Sequence, residues 1–228
     1  MAQINNPLFS RLTRKSSGQG KAGFTLVELL CVLAIMSIVM ATSWSSLAGL
    51  MTGSSLTNNA YNLGGLVQQA KTAAMTQNTY VWLGFYSYTI NGAPAVAVAT
   101  VTSKSGLATD LQNNNYQVLV HPLTLKNVVL AQSTDYINKL PGVDNTNNAD
   151  ASQSAYPFQL NLPGQGVVTF SDVIAFSPDG SVNLPQSDGS LLLEQCVGVG
   201  LDASPSKTTQ TVAVQIHGLS GQVSIFQQ

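Results

Sequence analysis

Glu28 is the residue with the most chemistry to explain. It is the only charged side chain between Lys21 and Lys71, and it sits in Phe24 to Met40, which reads FTLVELLCVLAIMSIVM. A carboxylate at membrane depth is costly and marks a function by default, because apolar surroundings cannot solvate it. A helix that begins near Phe24 places Glu28 just beyond its first turn, where the macrodipole offsets up to about 1 kcal/mol of that cost. A cation in the same apolar layer offers more, so a lone membrane carboxylate gains most from such a partner.

Other chemistry-bearing residues do not converge. His121 and His217 have no recognisable nucleophile around them and read as strand or turn residues. Gly218-Leu219-Ser220-Gly221-Gln222 lacks the final glycine of a nucleophile elbow, and a turn before the last strand explains it. Gly198-Val199-Gly200-Leu201-Asp202-Ala203 fits G-x-G-x-x-A, yet Ser204-Pro205 follows where a helix must open to receive a pyrophosphate. Cys31 lies inside the apolar run and Cys196 near the chain's end, so no disulfide framework is expected and Cys31 packs as a small apolar residue. One further cysteine and two distant histidines make a poor zinc set. Asp144, Asn145, Thr146, Asn147, Asn148 and Asp150 are rich in oxygen but lack the glycine and terminal glutamate of an EF-hand, and a solvated loop is the expectation. No catalytic residue, metal ligand or cofactor is expected, and the chain does not read as an enzyme.

The element that must position Glu28 is the apolar run itself, which continues through Trp44 to Met51 and is long enough to span a bilayer. A secretory signal peptide has a shorter apolar centre and a small-residue cleavage site at its far end, for which Ala41-Thr42-Ser43 is a poor candidate. Arg11, Arg14, Lys15 and Lys21 precede the span and no basic residue follows Met51 for about 20 positions, so residues 1–23 belong in the cytoplasm and the C-terminal part is exported. Trp44 falls roughly 30 Å along the helix, where an interfacial aromatic anchor belongs. From Phe24 onward five lysines face ten acids, a net charge of −5, and no basic face for nucleic acid is evident.

Lys21-Ala22-Gly23-Phe24-Thr25-Leu26-Val27-Glu28-Leu29-Leu30 resembles the type IV prepilin signature, Gly followed by Phe-Thr-Leu-x-Glu-Leu. The resemblance implies that a prepilin peptidase cuts between Gly23 and Phe24 on the cytoplasmic side and methylates the new amine. Glu28 then becomes the fifth mature residue and is expected to neutralise the N-terminal amine of a neighbouring subunit. Phe24, Leu26, Val27, Leu29, Leu30 and Trp44 are the expected membrane anchors. The helix lacks the proline that many major pilins carry about 20 residues in, so it is not obliged to kink.

From Ser54 to Gln77, Leu56, Ala60, Leu63, Val67, Ala70 and Ala74 recur three or four apart, predicting that the helix continues as an amphipathic half with one stripe facing a sheet. After Asn78 the runs Tyr80–Tyr88, Val96–Thr102, Tyr116–Val120, Asn127–Ala131, Val167–Phe170 and Val173–Phe176 predict short antiparallel strands. Asn91-Gly92, Ser177-Pro178-Asp179-Gly180, Asp188-Gly189 and Gly218 to Gly221 are the expected turns. Asn138 to Ser154 reads as an exposed loop. The expected fold is α+β, a long N-terminal helix packed on an antiparallel β-sheet domain: a leader over 1–23, a transmembrane and filament-core helix over 24–51, an amphipathic continuation over 52–78, and an exported β-rich domain over 79–228. The ending Ile216 to Phe226 and the extended β domain look most like minor pseudopilins of the H type, also called fimbrial protein T-like. That resemblance implies a structural subunit of a type II secretion pseudopilus or type IV pilus. Its expected partners are prepilin peptidase, other pilin or pseudopilin subunits, an inner-membrane assembly platform and membrane lipid. Its expected place is the bacterial inner membrane, N-terminus cytoplasmic and C-terminal domain periplasmic. The alternative is a single-pass periplasmic binding module that never polymerises.

Overall fold

The computed structural model describes residues 24–137, 140–144, 148–203 and 210–227, with the side chains of residues 42–53 outside that description. The protein is α+β, with an N-terminal helix and antiparallel sheets. Helix α1 covers Leu26–Gln77. Two compact units divide the chain, Met1–Ser45 and Ser46–Gln228, and α1 contributes to each.

Within the second unit α1 is followed by β1 (Val81–Ile90), β2 (Ala93–Ser103), β3 (Tyr116–Lys126), β4 (Val128–Ala131), a short α2 (Ser133–Tyr136) and β5 (Asn148–Asp150). Then come β6 (Phe158–Leu162), β7 (Gly166–Phe170), β8 (Asp172–Phe176), β9 (Val182–Pro185), β10 (Leu191–Leu193), β11 (Cys196–Ala203), β12 (Thr211–His217) and β13 (Val223–Gln227). One sheet has the order β10-β9-β8-β1-β2-β3, a second β13-β12-β11-β4 with β5 added beside β11, and β6-β7 form a separate hairpin. Asn91 and Gly92 take φ of 52° and 80°, the mirror-image turn whose twist suits a two-residue hairpin between β1 and β2. β3 is an outer strand whose pairing with β2 breaks register twice between Val98 and Val101, and Pro122 falls in the first break.

Three apolar clusters follow from strand alternation. Leu56, Ala60, Leu63, Val67, Ala70 and Ala74, the predicted helical stripe, are all buried, and they pack with Leu83, Phe85, Val98 and Ile174 of the first sheet and Val199, Leu201 and Val214 of the second. On the opposite face of the first sheet, Trp82, Ala99 and Ala175 pack under the β6-β7 hairpin. Phe158 and Phe170 stack there with ring centroids 5.1 Å apart. The third cluster joins Ala131, Tyr136, Leu140 and Ala213.

The segment expected as an exposed loop, Asn138 to Ser154, departs from that expectation among its described residues. It holds β5, which pairs in parallel with β11, and a 3-10 turn at Ala151–Gln153. Leu140, Ala149, Asp150 and Ala151 are buried. The reason is polar: the Tyr136 hydroxyl donates to Asp150, and Asp150 Oδ1 accepts from the Ser152 N–H at 2.8 Å, closing a capping box with Gln153. Burial, reinforced by the Asp150 charge and the same hydrogen bond, pushes the Tyr136 hydroxyl far above the usual tyrosine range.

Candidate functional site at the start of the helix

Two described residues, Phe24 and Thr25, precede the first described helical residue, Leu26. Thr25 and Glu28 then form a reciprocal pair. The Thr25 N–H and Oγ1–H both donate to Glu28 Oε2, at 3.0 and 2.9 Å, while the Glu28 N–H donates to Thr25 Oγ1 at 3.2 Å. This is the capping-box arrangement, in which a threonine at the cap and a glutamate three residues on satisfy each other's orphan amides. Thr25 was not among the residues singled out from the sequence, although T-x-x-E before an apolar run is its signal. All the described hydrogen bonds to the carboxylate fall on Oε2, and Oε1 takes none among the described residues.

Around this pair the apolar side chains face outward. Phe24 is 85 % exposed and Leu26 79 %, and Val27, Leu29 and Leu30 are also exposed. Ser37 turns its hydroxyl back to the Leu33 carbonyl at 2.7 Å, which satisfies that donor within the helix. Among the described residues no helix is long and apolar enough to cross a membrane; the described side chains of the apolar run end at Ala41. Gly23 lies outside the described residues and Trp44 outside the described side chains, so the geometry of the expected cut and of the aromatic anchor is not part of this site.

Residues 19–44 match the family model for the prokaryotic N-terminal methylation motif. The chain carries a prepilin-type N-terminus. That motif supports a type IV pilin-like protein, and it implies prepilin peptidase and other pilin subunits as partners in general. No match was found among curated proteins, and none among solved structures.

Of the remaining candidates, only His217 and Cys196 meet among the described residues. His121 is on β3, and His217 ends β12 with Nδ1 3.5 Å from Cys196 Sγ. Burial, and secondarily the charge of Asp144, pushes the Cys196 thiol above its ordinary value. Gly198 and Gly200, the first two glycines of the dinucleotide-like run, lie within β11 with the Tyr136 ring against them. A Cβ on Gly200 would stand 2.8 Å from both Tyr136 Cε1 and Ala131 Cβ, so close packing accounts for the glycine. Gly221 takes φ of 58° in the turn before β13. Of the oxygen-rich set, Asn145, Thr146 and Asn147 lie outside the described residues, while Asp150 is engaged by Tyr136 and Ser152. Among the described residues no three His, Cys, Asp or Glu side chains stand close enough to hold a metal ion.

Proposed function

We propose that the chain is a minor pilin or pseudopilin, a structural subunit of a type II secretion pseudopilus or type IV pilus, that performs no turnover. The observation that carries this reading is the methylation motif over residues 19–44. Prepilin peptidase cuts after Gly23 and methylates the Phe24 amine, with residues 1–23 cytoplasmic and the C-terminal domain periplasmic. The outward apolar face of Phe24, Leu26, Val27, Leu29 and Leu30 supports lipid contact in the inner membrane before assembly and helix contact afterwards. Glu28 serves both stages: Oε2 closes the cap with Thr25, and Oε1 stays open to the amine of a neighbouring subunit.

Mass spectrometry of the N-terminus in cells with active prepilin peptidase tests the reading. N-methylated Phe24 is the expected result, and an intact Met1 refutes it in favour of a plain membrane-anchored module. Assembly has its own test, because Glu28→Val should be inserted and cut normally yet be missing from sheared filaments. Incorporation at the unaltered level would remove the assembly role of Glu28.

A further inference from the structure

Within the globular unit, residues of β1, β4 and β11 and the starts of α2 and β8 surround an open cavity of about 380 Å³. That volume lies within the roughly 300–1,000 Å³ typical of small-ligand sites. Asp150 and Asp172 both line it, together with Ser133 and Thr134, and Phe85 and Val199 supply apolar wall. No lysine, arginine or histidine is among its described lining residues. Asp150 is buried and held in place by the Tyr136 hydroxyl and the Ser152 N–H. Asp172 is half-buried, and its described hydrogen bond comes from Ser171 Oγ at 3.2 Å. Two carboxylates therefore border one partly desolvated space with no cation among its described lining residues to offset their repulsion, an arrangement that favours a positively charged occupant. Burial pushes the Asp172 carboxyl above the usual range; the Ser171 hydrogen bond opposes this and the Asp150 charge adds to it.

We propose that this cavity binds an organic cation, the ammonium or guanidinium end of a lysine or arginine side chain presented by another protein, with its charge between Asp150 and Asp172 and its methylene stem against Phe85 and Val199. The mixed lining favours such an occupant over a bare metal ion. A divalent cation needs several oxygen ligands, and no metal-holding group of three is present among the described residues. A lysine or arginine stem, by contrast, gains from apolar wall while its head pairs with carboxylates. The site uses only groups of the globular unit, so its test does not depend on how the N-terminal helix is processed.

The test is an NMR titration of the full chain in detergent micelles with N-acetyl-lysine and N-acetyl-arginine methylamides. The N-acetyl-norleucine analogue serves as the uncharged match and calcium chloride as the metal. Saturable shifts of the Ser133, Thr134, Ser152 and Asp172 amides are expected with the two cationic probes only. Asp172→Asn should weaken binding about tenfold or more, the size expected for losing one charge-assisted contact. Asp188→Asn, an exposed carboxylate outside the cavity, should leave it unchanged. Added salt should weaken binding to the unaltered protein, a readout that holds even if the Asp172 variant folds poorly. Absence of saturable shifts, equal binding of the norleucine compound, binding of calcium alone, or salt-independent binding would each overturn the proposal.

Discussion

Asp110 offers the sharpest test of how the globular unit is held together. Its buried carboxylate accepts from the Ser103 hydroxyl, from the Ser105 N–H at 2.9 Å, from Ser105 Oγ at 2.7 Å and from Asn115 Nδ2 at 3.0 Å. Ser103 Oγ in turn accepts from the Gly106 and Leu107 N–H groups, so one carboxylate organises the whole β2–β3 connection. Burial acts to raise its pKa, but the hydrogen bonds from Ser103, Ser105 and Asn115 outweigh it and hold the group well below the usual carboxylate range. A folded-state pKa below the unfolded value contributes stability that is present above about pH 4 and is lost as pH falls toward the folded value. Asp110→Asn keeps one acceptor and removes the charge, so a loss of roughly 1.5–3 kcal/mol at pH 7 is expected. Urea unfolding of both proteins in the same micelles, at pH 7 and again near the acid limit of folding, measures the difference. The gap between them should shrink as pH falls. Asp179 and Asp188 are also held low by Ser181 and Ser190 and add to the slope of each protein, but they cancel in the comparison. A gap that stays constant with pH would refute this account of Asp110.

Two glycines should respond with opposite sign to the same change. Gly200→Ala forces a methyl into Tyr136 and Ala131 and should cost about 1–3 kcal/mol, whereas Gly65→Ala in α1 meets nothing within 4 Å and should gain about 0.5–1 kcal/mol, both read from unfolding midpoints. Cys196, buried and with its thiol pushed up, should resist alkylation at neutral pH in a Cys31→Ala background until the protein unfolds; rapid labelling of the folded protein would contradict that.

The stripe Leu56 to Ala74 and the Asn91-Gly92 turn were legible because each rests on local rules, a period of 3.6 in one case and positive φ in the other. Gly23, Phe24 and Glu28 stood out for a related reason, since the methylation motif is a contiguous string. What stayed hidden depends on partners far along the chain. β5 is three residues long and pairs with β11 almost fifty positions later, and its small Ala149 and Ala151 give no apolar signal to compete with the surrounding Asn and Asp. The cavity between Asp150 and Asp172 could not be seen at all before the strands were placed. Thr25 is a different kind of miss: its T-x-x-E signal is local, but the macrodipole and a partner cation already accounted for Glu28 without a cap.

The outer strand β3 has a consequence for crowding. Protein chains at high local concentration meet edge to edge, and an open strand is the usual place where such meetings turn into irreversible sheets. β3 is eleven residues long and bounds its sheet, yet Pro122 removes one donor and the two register breaks distort the edge around it. A neighbour approaching that flank finds no straight ladder to extend. The edge is thereby a barrier to aggregation, and restoring it by Pro122→Thr is a route to insoluble protein.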